Sequence, residues 1–250
     1  LGCIIFVCLF GAAFYLTPTE FDSNNCRKGE KNSVTALLID ASDSLSNAQK
    51  AELQSQIKNL TQIGGSRKKA FLGVGDRLAV YVLGEDGAEL DPIFDGCNPG
   101  SPEERSVVEI ATEGAMYARA RWLDFNRIMA EVEEKVVTST PKGTSPIIEA
   151  IKMINAEKFP PSDLITESSR YRLIIASDFL QNSSTTRHYN GLENVESVHK
   201  KNPIDFGGAE VYFWRLNSKS HLHLQTPKHL KWWREFFALS NARLQKPLQF

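Results

Sequence analysis

Three short stretches of this chain place oxygen-bearing side chains where they could share a cation. Asp40, Ser42 and Ser44 alternate directly after an apolar run, Ser177-Asp178 follows a second apolar run, and Lys142-Gly143-Thr144-Ser145-Pro146 lies between them. In an extended turn alternate side chains share a side, so Asp40, Ser42 and Ser44 can converge on one point. Carboxylates and hydroxyls without thiolate or imidazole suit a hard cation, Mg²⁺ first, with Mn²⁺ or Ca²⁺ as alternatives, rather than zinc or copper. Each piece also has a plainer reading. Asp and Ser crowd helix starts as caps and turn formers, and Ser145-Pro146 fits a cap followed by proline at the first helical position.

The elements that must position these residues are legible in the apolar pattern. Residues 34–39 form a continuous apolar, β-branched run suited to a strand buried on both faces. Residues 77–83, 171–176 and 209–216 read as further strands, with a short one near 90–94. Residues 45–63 have helical spacing, opened by the capping pair Ser46 and Gln49 and closed by Gly64-Gly65. Residues 102–137 read as one long helix or two, followed by helices at 146–154 and 228–241. The polar stretch 181–208 is longer than a usual strand-helix connection. Strands alternating with helices imply a doubly wound, mostly parallel α/β sheet, in which ligands bind beyond the carboxyl ends of the strands. Asp40 and Asp178 each stand one or two residues past such an end.

Asp-x-Ser-x-Ser after the first strand, a later Gly-Thr-x-Pro helix start and an Asp after a further strand resemble the von Willebrand factor A family, from residue 34 to the closing helix. The resemblance implies a metal-ion-dependent adhesion site. Ser42, Ser44 and Thr144 would offer hydroxyls, Asp40 and Asp178 carboxylates held directly or through water, and an open position would take an acidic side chain from a protein partner. It implies adhesion or protein assembly rather than catalysis, which on a membrane-anchored chain suits assembly of a membrane complex, so no catalytic residue is assigned. One departure stands out: where the family usually has glycine after the last Asp, this chain has Phe179. Phe179 is expected to flank the site as an apolar contact, with Arg187, His188 and Tyr189 on the rim. Two other functions remain: a metal-dependent phosphohydrolase, although position 42 is Ser where a second Asp is needed, and a metal-free structural subunit.

Other features take bland readings. His221, His223 and His229 are expected at the surface, since no Cys or Asp completes a zinc set. Gly73-Val74-Gly75 lacks a third glycine and precedes a strand, so it is not a dinucleotide fingerprint. Trp232, Phe236 and Phe237 are expected to face the sheet, and Trp233 to be exposed or to cover a loop. Asn59-Leu60-Thr61 and Asn182-Ser183-Ser184 match glycosylation sequons.

The chain has 250 residues with a net charge of -1, which argues against a nucleic-acid binder. Residues 1–16, LGCIIFVCLFGAAFYL, carry no charge. They read as most of a transmembrane helix, which needs about 20 apolar residues; a signal-peptide core would be followed by a small-residue cleavage site that Tyr15, Leu16 and Pro18 do not form. Residues 17–33 read as a polar tether, and 34–250 as a single domain. Arg27, Lys28 and Lys31 favour a cytoplasmic side. Cys26 and Cys97, the only cysteines outside the apolar segment, suit instead a disulfide in an oxidising compartment. On that ground the domain is expected outside the cytoplasm, periplasmic or extracellular.

Overall fold

A computed structural model describes residues 20–29, 33–61, 71–83, 90–139, 141, 143–160 and 170–246. The apolar segment 1–16, Lys31 and the helix end at Gly64-Gly65 lie outside them. Among the described residues no helix is long and apolar enough to cross a membrane.

The apolar runs become a sheet. Strands β1 (Val34–Ile39), β2 (Arg77–Val82), β3 (Phe94–Cys97), β4 (Tyr171–Ser177), β5 (Glu210–Arg215) and β6 (Arg243–Leu244) pair in the order β3-β2-β1-β4-β5-β6. All neighbours are parallel except β2 and β3. Helices α1 (Asn47–Thr61), α2 (Val107–Glu113), α3 (Ala115–Thr138), α4 (Ile147–Lys158), α5 (Val195–Lys201) and α6 (Pro227–Leu239) complete the described chain, with a 3₁₀ turn at His188–Asn190. The expected α/β class with a mostly parallel sheet is the observed one.

Successive strand residues point to opposite faces, and each face has its own helices. Ala36, Leu38, Leu173, Ile175, Val211 and Phe213 pack with α4, α5 and α6. Leu37, Ile39, Leu78, Val80, Ile174 and Ala176 pack with α1 and α3. With both faces covered, β1 and β4 need no polar alternation, which is why they read as unbroken apolar runs.

Local chemistry sets the element ends. Ser46 and Gln49 form the expected reciprocal cap: the Ser46 amide donates to Gln49 Oε1 at 3.0 Å, and the Gln49 amide to Ser46 Oγ at 3.3 Å. The 102–137 stretch divides at Gly114, whose φ of +91° interrupts the helical path. The short strand lies at 94–97 rather than near 90–94. Two elements went unread in the sequence. Helix α5 lies within the polar 181–208 connection, with Asn194 Oδ1 accepting from the Ser197 amide at 2.9 Å, and β6 is a two-residue edge strand.

Residues 20–29, assigned from sequence to a tether, pack on the domain. Cys26 and Cys97 are disulfide-bonded, as the cysteine count suggested. The Cys97 amide donates to Asn24 O at 2.9 Å, Arg121 Nη1 donates to Asn25 Oδ1 at 3.0 Å, and the Arg121 guanidinium covers the Phe21 ring at 3.6 Å.

Candidate cation site at the carboxyl edge of the sheet

Strand order decides where a crevice opens. β1 connects onward to β2 on one side, β4 to β5 on the other, so the chain diverges where β1 and β4 lie side by side. Asp40 leaves β1 there, its amide donating to Ala176 O at 2.8 Å. Asp178 leaves β4 beside it, and Leu216 leaves β5 with its amide on Ser177 O at 2.8 Å.

Asp40 is 5% exposed and fully engaged on one oxygen. Its Oδ2 accepts from Ser145 Oγ at 2.6 Å and from Ser177 Oγ at 2.7 Å. Its Oδ1 accepts from the Ser42 amide at 3.0 Å. A carboxylate offers about two acceptor directions per oxygen, so Oδ1 keeps the remaining capacity for a cation or a bridging water. The three bonds also fix the turn: Ser177, which precedes the expected ligand Asp178, orients Asp40, and its Oγ accepts from the Phe179 amide at 2.7 Å. Neither Ser145 nor Ser177 was assigned this role from the sequence, because Ser145 reads as a helix cap and Ser177 only as the residue between the strand and Asp178.

Asp178 is 9% exposed, and its Oδ1 accepts from the Leu180 amide at 2.8 Å. Burial first, then the Asp40 and Asp43 carboxylates, push its carboxyl up to about 7, against the pull of the Leu180 bond. Three carboxylates thus share one crevice, whose wall also includes the exposed Lys219. Asp43 is the member that sequence reasoning passed over, being the odd position within 40–44. Its Oδ2 accepts from Ser218 Oγ at 2.7 Å and lies 3.8 Å from His221 Nδ1.

Asp40, Ser42, Asp43, Ser44 and Asp178 line one cavity of about 240 Å³, closed by Asn217 and Ser218 beyond β5. Four of the five expected ligands, Asp40, Ser42, Ser44 and Asp178, therefore share one cavity. Thr144 is exposed on the loop before Ser145 and is not part of its wall. Among the described residues no set of three or more His, Cys, Asp or Glu side chains is arranged to hold a metal. A cation here would rest on two carboxylates, serine hydroxyls and water, a donor set suited to Mg²⁺.

The rim differs from expectation. Phe179 is 2% exposed, so it offers no surface to a partner. Its backbone takes φ +63°, a conformation that glycine adopts without strain and that costs other residues roughly 1–2 kcal/mol. Compensation comes from the core. The ring packs 4.4 Å from Phe213 and 5.7 Å from Trp233. The carbonyl accepts from Trp233 Nε1 at 2.8 Å and lies 2.9 Å from His229 Nε2. Trp233, expected to be exposed or to cover a loop, and His229, expected at the surface, are thereby buried. His188 is buried too, its ring edge-on to Trp232 at 4.7 Å and its Nδ1 3.1 Å from His229 Nε2. Burial and then His229 push His188 down to about 3, so it is a neutral core residue rather than a partner contact. Arg187 is exposed. Tyr189 is half-buried with its ring on His221 at 4.8 Å. Burial, then Asp178, Asp43 and Asp40, push its hydroxyl up to about 12.

No family model and no curated protein sequence matches the chain. Among solved structures, it is similar to proximal thread matrix protein 1 from the mussel byssus, at 10% identity and a TM-score of 0.35 over 87% of this chain and 44% of that one. It is also similar to the human COPII-coat protein Sec24c, at 8% identity and a TM-score of 0.33 over 90% of this chain and 31% of that one. The chain spans less than half the length of either.

Proposed function

We propose that this chain is a membrane-tethered domain of the von Willebrand factor A type, which binds a divalent cation at Asp40, Ser42, Ser44 and Asp178 and uses it to hold a protein partner. The observation that supports this reading most is the convergence of these four side chains on one cavity at the β1/β4 divergence, with Asp40 Oδ1 left able to accept. A bound cation would supply Lewis acidity at that point, able to take a carboxylate oxygen from a partner.

The chain's own residues do the rest. Ser145 and Ser177 hold Asp40 in place, and Leu180 and the Phe179 turn hold Asp178. Asp43, kept on the rim by Ser218, adds negative charge that favours the cation and repels an acidic partner from a cation-free site. Tyr189, close enough to Asp178, Asp43 and Asp40 for their charge to act on its hydroxyl, borders the approach, and exposed Arg187 two residues before it is a proposed partner contact. The tether at residues 1–16 and an extracytoplasmic location form part of the same proposal; the Cys26–Cys97 disulfide supports the location.

The experiment is calorimetric titration of Mg²⁺, Mn²⁺ and Ca²⁺ into the full chain in detergent, beside Asp40→Ala. One saturable site, lost in the variant, is expected. Equal heats for both proteins would remove the cation from the reading and leave a scaffold that binds by surface contact alone.

A further inference from the structure

Sheet direction fixes which end of the domain carries the Cys26–Cys97 bond. β3 runs antiparallel to β2 and sets Cys97 opposite Arg77, the first residue of β2. Cys97, and Cys26 bonded to it, therefore lie at the amino edge of the parallel strands. The cation cavity lies at the carboxyl edge. Helix α3 spans between them: its first turns hold Arg121 against Phe21 and Asn25, while Pro141, just beyond its end, lines the cavity wall. At 1.5 Å per residue this 24-residue helix is about 36 Å long.

The amino-edge end carries exposed apolar side chains. Met116, Tyr117 and Leu123 on α3 are 74%, 66% and 58% exposed, and Val107 on α2 is 83% exposed. Met116, Ala120 and Leu123, all exposed, recur at helical spacing on the side away from buried Phe125 and Met129. Exposed Arg119 lies within the same stripe. Val107 belongs to the same end, because Glu113 of α2 accepts from Arg121 at 2.9 Å. Clustered apolar exposure of this kind marks a contact surface.

Chain length limits what can cover it. Leu16 ends the apolar segment and Phe21 is docked on Arg121. Five residues reach at most about 18 Å even fully extended, so a membrane holding residues 1–16 cannot be far from the start of α3. We propose that the first two turns of α3, with Val107, seat on the lipid surface at the headgroup boundary, so that the cation cavity faces away from the membrane. The chemistry suits that boundary: Met116 and Leu123 enter the acyl edge, Tyr117 presents ring and hydroxyl to the two phases, and Arg119 meets lipid phosphates. This inference rests on the proposed anchor at residues 1–16.

The test uses the full chain reconstituted in phosphatidylcholine–phosphatidylglycerol vesicles with brominated acyl chains, which quench tryptophan near the membrane. Leu123→Trp is compared with Lys135→Trp, an exposed position near the far end of α3, each after subtracting the unsubstituted chain. Several-fold stronger quenching at position 123 is expected. Equal, weak quenching at both, with the protein still on the vesicles after an alkaline wash, would overturn the docked surface and leave the anchor standing. Blue-shifted but unquenched emission at position 123 would give the surface to a protein, a second copy included. Loss of the protein in the wash would reject the anchor itself, and the docking with it.

Discussion

Asp178→Asn is expected to stabilise the cation-free protein at high pH and not at low pH. The Asp178 carboxyl is raised because burial and two neighbouring carboxylates disfavour its charge. Well below the unfolded value of 3.8 it is protonated in both folded and unfolded chains, so it has no effect on stability. As pH rises the unfolded chain ionises first, and the folded state loses ground until the folded carboxyl ionises as well, near pH 7. The gap between about 7 and 3.8, at about 1.36 kcal/mol per pH unit, makes the full cost about 4 kcal/mol. The side chain is 9% exposed, so solvent screens little of it. Asparagine removes the charge and keeps an oxygen to accept from the Leu180 amide. For a domain of this size each kcal/mol moves Tm by about 2–4 °C, so the variant should melt roughly 10 °C above the parent at pH 8 in chelator and within a few degrees of it at pH 4. Adding Mg²⁺ at pH 8 should narrow the difference by raising the parent alone. The assay is thermal unfolding of the full chain in detergent, followed by near-ultraviolet circular dichroism across this pH range. A variant that melts below the parent at pH 8 in chelator would refute the reasoning, since Asp178 would then be charged and stabilised by partners other than a cation.

Three further outcomes are expected. Phe179→Gly should be more stable than Phe179→Ala by about 1 kcal/mol in urea unfolding, because both lose the ring while glycine alone is released from the strain of φ +63°; the reverse order would show that the turn is not held in that conformation. Reduction of Cys26–Cys97, which closes a separation of 71 residues, should cost about 4 kcal/mol by loop entropy, and thiol labelling of unreduced, unfolded protein should leave both cysteines unmodified. Ser145→Ala should cost about 1–3 kcal/mol in urea unfolding by removing a buried donor from Asp40 and should weaken Mg²⁺ binding; unchanged stability would contradict the placement of Ser145.

Local patterning along the chain is enough to determine the α/β class, the four long strands at 34–39, 77–82, 171–177 and 210–215, the Ser46–Gln49 cap and the carboxyl-edge placement of Asp40, Ser42, Ser44 and Asp178. These depend on periodicity, on capping within a few residues and on the residue types just past a strand end, all of which are written into neighbouring positions. The Cys26–Cys97 bond was legible for a different reason: only two cysteines were available outside the apolar segment. Tertiary structure decided the remainder. Asp43 belongs to the acid cluster because Ser218 reaches it across 175 positions. Ser145 and Ser177 bond Asp40 across 105 and 137 positions. Trp233, His229 and His188 are buried because α6 has the sheet on one side and the 181–201 segment on the other. A helical wheel anticipates only the first of those coverings, since the second arises from a connection whose own sequence is polar. Phe179 shows the same division most directly. Its position directly after Asp178 argued for a contact flanking the site, whereas the aromatic cluster around Phe213 and Trp233 buries its ring and holds its backbone in a conformation that the sequence alone would assign to glycine.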